Sequence, residues 1–217
     1  RLYRGFGKAN PDEELKFGPN IKDWPKMHAL TEDILLDLAA VIHDEVTTTD
    51  ELIPSGETSS YRSNPLRLSE FALSRRVPEY VGRSKATRDL EDARRDGNIP
   101  EEIINALSDF GGEETARVTQ VGSCVFATKP GDGSAREQAA SCQKVLGGWA
   151  NIAIEYATKR YRSNLINWGM VPLHVSEEDA LNIHDGDFVI LPSIKKTILE
   201  KKDRLTAFIV RNGERIP

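Results

Sequence analysis

Cysteine is almost missing from this chain of 217 residues. It has two, Cys124 and Cys142, and neither stands in a C-x-x-C pair, so neither a disulfide framework nor a closed zinc or iron–sulfur site fits. Histidine is nearly as sparse, and His28, His43, His174 and His184 show no metal-ligand spacing, so no metal is expected within the chain. Positive charge is not in surplus either. With 29 Lys and Arg against 34 Asp and Glu the net charge is −5, and a pI of about 5.5 provides no field to draw in a phosphate backbone. General nucleic-acid binding is therefore disfavoured. Long apolar runs are absent too: Ile34-Leu35-Leu36 is broken at once by Asp37. The first residues, Arg1 to Gly7, lack an initiating Met, an apolar stretch and a cleavage site. Neither a membrane span nor a signal peptide is expected, which suggests a soluble, cytoplasmic piece of something longer.

What is present is enough for one sizeable core, since 39% of the residues are apolar. Residues 1–30 read as an irregular N-terminal arm, with Phe6, Phe17 and Trp24 as candidate anchors, and 31–217 as the folded domain. The stretch from Ile34 to Val46 is dense in aliphatic residues, and periodicity leaves strand and helix both open. Thr47 to Asn64 is polar, with Thr47-Thr48-Thr49, Pro54 and Gly56, and is expected to be a long functional loop. Pro65–Leu73, Thr87–Arg95 and Pro100–Leu107 have helical character; the many arginines of this stretch read by default as a solvated face. Then a strand (Arg117–Ala127), a glycine turn, a helix (about Ala135–Leu146) and a strand (Ala150–Glu155) make a βαβ unit. Short strand signals punctuated by turns close the chain, including Asn212-Gly213 after Leu205–Arg211.

The glycine turn reads Gly131-Asp132-Gly133-Ser134-Ala135-Arg136-Glu137. Two glycines allow a sharp turn and close approach of a ligand, and a helix that follows presents unpaired N–H groups to whatever lies above Ser134. In such a field the Ser134 hydroxyl could ionise, and Arg136 offers a planar fork for a carboxylate, so a serine base beside an arginine is one reading. Spacing alone also allows Ser134 as an ordinary N-cap, with Glu137 completing a capping box and Arg136 a surface charge.

Gly131 to Ala139 resembles the Gly-x-Gly-Ser-Ser-Arg-Glu-x-Ala signature of the aconitase superfamily's swivelling domain, found also in the small subunit of isopropylmalate isomerase. Two further blocks carry the resemblance. Asn164-Leu165 through Gly169 to Pro172-Leu173 is similar to the family's Asn-Leu-x-x-x-Gly-x-x-Pro-Leu, and Thr48-Thr49-Asp50-Glu51-Leu52-Ile53-Pro54 is similar to its Thr-Thr-Asp-His-Ile segment. Arg62 follows Asp50 at the family's spacing for a substrate-binding arginine, and the arm looks like the connector to the catalytic body in single-chain aconitases.

The resemblance implies an α/β fold, a three-layer β/β/α swivelling domain with a partly open β-barrel. It also implies a hydro-lyase (hydratase) that dehydrates and rehydrates a hydroxy di- or tricarboxylate. Ser134 would be the base, Arg136 would stabilise it and bind substrate, Arg62 would hold a second carboxylate, Gly133 would shape the anion-binding turn, and Asp50 would support the site. A [4Fe–4S] cluster would be held by cysteines outside this chain, on cluster-bearing domains of the same protein, so the isolated chain is expected to be inactive. Two positions depart from the family: its second serine is Ala135, and its histidine is Glu51. They leave as alternatives a catalytically altered paralogue or an RNA-binding regulatory member.

Overall fold

The stretch that could have been strand or helix is a strand, β1 (Ile34–Ile42), buried along most of its length. The computed structural model describes residues 5–216, so Arg1 to Arg4 of the expected arm lie outside the described residues. After β1 come β2 (Thr47–Thr48), α1 (Thr49–Leu52), α2 (Pro65–Ser69), α3 (Tyr80–Arg95), α4 (Glu101–Ala106) and α5 (Glu113–Val118). The βαβ unit then runs through β3 (Gln120–Ala127), β4 (Pro130–Asp132), α6 (Gln138–Val145), β5 (Gly148–Ala153), α7 (Lys159–Asn167) and β6 (Val171–His174). The chain ends with α8 (Glu177–Ala180), β7 (Phe188–Leu191), α9 (Ile194–Leu199), β8 (Phe208–Arg211) and β9 (Glu214–Arg215). The expected long loop after β1 is in part regular, holding β2, α1 and a 3₁₀ turn at Ser59–Tyr61.

Seven strands form one mixed sheet in the order β6-β5-β3-β1-β7-β8-β9. β1, β3, β5 and β6 pair in parallel, and β7, β8 and β9 continue antiparallel from β1. Central β3 is buried at every position, as a parallel strand covered on both faces must be. In β1, Ile34, Leu36 and Leu38 face one apolar cluster while Leu35 faces another. A register shift between Leu38 and Ala40 lets the consecutive Ala39 and Ala40 both join the helix-side core.

The two wings of the sheet curl toward each other. Ile152 of β5 and Val189 and Leu191 of β7 share one cluster, with Leu173 of β6 and Ile209 of β8 packed against it. The wings do not meet as paired strands, because β6 and β9 are both terminal in the sheet. The result is a mixed α/β sheet with helices packed against it, in agreement with the expected α/β class, and its strands form no closed barrel among the described residues.

The helix-side core contains a closed ring of side-chain hydrogen bonds. Tyr161 Oη donates to Asn151 Oδ1 (2.5 Å), Asn151 Nδ2 donates to Gln143 Oε1 (2.7 Å), and Gln143 Nε2 donates to Tyr161 Oη (2.9 Å). It ties α7, β5 and α6 together, and it presses the Tyr161 ring against Gly131. A Cβ on Gly131 would lie 2.4 Å from that ring, and Gly131 has φ +95°, so both space and backbone require glycine there.

Between Gly5 and Thr31 there is no helix or strand. Of the three candidate anchors, Trp24 is held by this chain, its ring 4.6 Å from that of Trp168. Phe6 and Phe17 are 87% and 69% exposed and anchor nothing here.

Two predictions follow from the interior. Replacing Tyr161 by Phe leaves Asn151 and Gln143 each short of a buried partner and should cost about 1–3 kcal/mol in urea unfolding. Asp37 accepts a hydrogen bond from Thr87 of α3 (2.7 Å), and burial, its largest influence, raises its carboxyl to about 6. A raised carboxyl binds its proton more tightly when folded, so this group's contribution to stability falls as pH climbs from the ordinary carboxylate value through about 6. Asp37→Asn should therefore match the parent protein near pH 4 and exceed it by up to about 3 kcal/mol above pH 7. A parallel pH dependence of the two proteins would refute this.

Candidate active site

Two of the motif blocks meet beyond the C-terminal ends of β1 and β3, where open α/β sheets place their ligands. β2, which follows β1, pairs in parallel with β4, which follows β3. This brings Thr49 and Asp50 alongside the glycine turn, where a Cβ on Gly133 would stand 3.6 Å from Thr49 Oγ1. Gly133 has φ +89°, so the chain turns there in a way that a side chain would resist.

Arg136 is the link between the blocks. Its Nη1 donates to Asp50 Oδ1 at 2.6 Å and to the Ile53 carbonyl oxygen at 3.1 Å. Asp50 Oδ1 also accepts from the backbone N–H and the hydroxyl of Ser55, both at 3.2 Å. The hydrogen bond from Arg136, the largest influence, lowers the Asp50 carboxyl below the ordinary range. Arg136 is mostly buried, while Asp50 is about half exposed.

Ser134 stands differently from the expectation that it sits at the start of the helix. α6 begins at Gln138, its N-cap position is Glu137, and no side chain caps it. The tie of Arg136 to Asp50 and Ile53 explains the shift, since it holds residues 134–136 off the helix axis. Ser134 is exposed, and among the described residues none hydrogen-bonds its hydroxyl. Arg62 ends the 3₁₀ turn at Ser59–Tyr61, is exposed, and carries no ion pair among the described residues. The structure joins Asp50, Arg136 and the turn around Gly133 and Ser134; among the described residues no hydrogen bond or ion pair joins Arg62 to them.

Sequence reasoning missed two residues. Arg75 and Arg76, read as solvated surface, are aligned with the adjacent acids of the first block. Arg75 Nη1 lies 3.4 Å from Asp50 Oδ2 and Arg75 Nη2 lies 2.9 Å from Glu57, while Arg76 Nε lies 3.9 Å from Glu51 and its guanidinium pairs with Asp44. Leu73 sets this alignment. It is buried, adopts φ +54°, and its N–H donates to the Leu52 carbonyl oxygen (3.0 Å), tying the turn after α2 back onto α1. The available signal was the pairing of two consecutive acids with two consecutive arginines. The other arginines of the stretch are also engaged: Arg94 and Arg95 both bind Glu91, and Arg83 binds Asp185.

Glu51 is accommodated. Its Oε2 accepts from the Thr48 N–H (2.7 Å) and hydroxyl (3.0 Å), a capping box that starts α1. Charge at this departure from the family pattern is therefore paired within the chain.

Residues 86–178 match the aconitase C-terminal domain family. That match covers less than half of the chain. The matched segment holds the glycine turn and the Asn164–Leu173 block, whereas Asp50 and Arg62 lie upstream of it. A solved structure of 3-isopropylmalate dehydratase from Methanocaldococcus jannaschii is 19% identical, the alignment covering 82% of this chain and 84% of that one with a TM-score of 0.44. Comparison with curated proteins gave no match.

The two cysteines do not suit a shared cluster. Cys124 lies in the core between the sheet wings and Cys142 in the core on the helix side, and burial pushes both thiols up, away from the thiolate a cluster needs. Among the described residues no group of three or more His, Cys, Asp or Glu could hold a metal ion, and no helix is long and apolar enough to cross a membrane.

The tie between the two blocks can be read by titration. A depressed carboxyl stabilises the folded arrangement above its ordinary value and loses that contribution as pH falls through the folded-state value. Asp50 should thus titrate below about 3.9 by carbon-detected NMR, and should return toward about 3.9 in Arg136→Gln. An unchanged titration in that variant would show that Arg136 does not hold the carboxylate.

Proposed function

We propose that this chain is the swivelling domain of an aconitase-family hydro-lyase acting on a hydroxy di- or tricarboxylate, and that it contributes the proton-abstracting wall of a divided active site. The observation that carries this reading is the Arg136–Asp50 pair, which gathers two motif blocks 86 residues apart at the exposed end of the parallel strands. The family match supports the hydro-lyase class.

In this reading Ser134 removes the proton next to a substrate carboxylate. Its hydroxyl is open to an incoming ligand, and the guanidinium two residues on lowers the cost of the alkoxide. Asp50 and the Ile53 carbonyl hold one nitrogen of Arg136, which leaves the other face of its fork for a carboxylate. Arg62 is exposed and not committed to any carboxylate of the described chain, so it can take a second one. Gly133 keeps the turn flat enough for close approach. The [4Fe–4S] cluster that the family implies would be held by residues outside this chain, on partner domains that close over the site. Ala135 removes one hydroxyl donor from the turn and would narrow the range of acids accepted.

The test uses the complete protein with its cluster-bearing domains, assayed against citrate, isocitrate, homocitrate and isopropylmalate. One of them should turn over. Ser134→Ala should then lower kcat by about 10²–10⁴-fold with KM little changed, as loss of a general base does. Arg62→Gln should raise KM, and Arg136→Gln should raise KM and lower kcat together. Absence of turnover with every acid, in a preparation whose cluster is intact, would favour the catalytically altered paralogue.

A further inference from the structure

At the opposite end of the sheet, where β3 and β5 begin, a cleft of about 370 Å³ opens between α3, the last turn of α6 and the extended segment 25–28. That volume lies within the range of small-molecule sites. Its floor is the Trp149 indole, which rests on the bare Cα of Gly122, where a Cβ would come within 2.1 Å of the ring. Lys144 reaches over this floor. Its Nζ stands 3.3 Å from the Trp149 ring centroid and 3.4 Å from the Gly169 carbonyl oxygen. The residue is 9% exposed, and among the described residues no carboxylate pairs with it.

An ammonium removed from water without a counter-charge is costly, and burial accordingly brings Lys144 down to about 8. Two further cations line the cleft without an ion pair among the described residues. Arg88 gives one hydrogen bond to the Val145 carbonyl oxygen, and Lys26 stands on the segment opposite. Arg95 completes the basic lining, and the acids are Glu91, already paired with Arg94 and Arg95, and Asp92. His28, also in the lining, is shifted toward its neutral form by burial first and by Arg95 and Lys26 next. Four bases against two acids leave a surplus of two positive charges, in a chain whose net charge is −5.

We propose that this cleft binds a small dianion, a phosphate monoester or a dicarboxylate, with Lys144, Arg88 and Lys26 as its cationic ligands and Trp149 as its apolar wall. The anion supplies the counter-charge that Lys144 lacks, and fixed cations in a partly closed cleft hold it more strongly than surface lysines would. The site is separate from the glycine turn, because α6 points its N-terminal end at one and its C-terminal end at the other.

The experiment follows acetylation of individual lysines of the intact protein by dilute acetic anhydride, read by peptide mass spectrometry at constant ionic strength. Inorganic phosphate and succinate are the probes for the two sources. With a Kd of about 1 mM, either probe at about 10 mM should slow modification of Lys144 by about five-fold or more, leaving exposed Lys8 and Lys159 unaffected. Protection by phosphate alone assigns the phosphate monoester, and protection by succinate alone assigns the dicarboxylate. Arg88→Gln should abolish the protection, and Lys26→Gln, at an exposed position where folding is not at stake, should weaken it. Arg136→Gln should leave it intact. No protection by either probe, equal protection of Lys159, or protection that survives both cleft variants would overturn the proposal.

Discussion

Asp50 stands between two guanidinium groups that reach it from different parts of the chain, Arg136 from the glycine turn and Arg75 from the turn after α2. The strand pairing beneath it is minimal, since β2 and β4 are two and three residues long. Backbone hydrogen bonds alone would hold these loops weakly. A half-exposed ion pair adds little stability in isolation, on the order of 0–1 kcal/mol, so its importance is geometric. The carboxylate sets where the guanidinium of Arg136 points, and it keeps the residues just before α6 out of the helix. Ser134 is left on an open turn, with one side of a fixed cation available to whatever enters.

That arrangement rests on a rigid base. The ring formed by Tyr161, Asn151 and Gln143 leaves each of these buried polar groups partnered, and a satisfied buried network costs nothing in orphaned donors while it defines one packing. Through Tyr161 it bears on Gly131, so the first glycine of the turn is a matter of packing and the second, Gly133, a matter of backbone conformation beside Thr49. The two glycines look alike in sequence and do different work. Leu73, at positive φ and fully buried, plays a comparable part for Arg75 and Arg76.

The two ends of the parallel strands have opposite characters. At the C-terminal ends Asp44, Asp50, Glu51 and Glu57 are interleaved with Arg75, Arg76 and Arg136, so most of the charge there is paired. At the N-terminal ends the cations around Trp149 are less matched. The core cysteines belong to neither end, since Cys124 and Cys142 are buried in separate apolar clusters. Glu51, which would repel an acidic ligand if left free, is absorbed by the start of α1 and by Arg76.

Much of this was legible in the amino-acid order because it is local. The glycines before Ser134, the Asp50 block, the βαβ unit and the buried strands each follow from short-range patterns of turn residues and apolar spacing. Other features were not legible for equally physical reasons. An aliphatic run such as Ile34–Ile42 satisfies both periods, and only its parallel pairing with β3 makes it a strand. The start of α6 was misplaced by three residues because Arg136 finds its partner 86 positions away, outside any local window. Arginines in a charged stretch look solvated until the fold supplies carboxylates such as Asp50 and Glu51 for the turn after α2 and Asp185 for α3. Chain order alone thus determined which residues could turn, cap and bury themselves, through steric and hydrophobic preferences each residue carries with it. Tertiary structure alone decided which charges meet, because Coulomb attraction acts between groups brought close in space, whatever their separation along the chain.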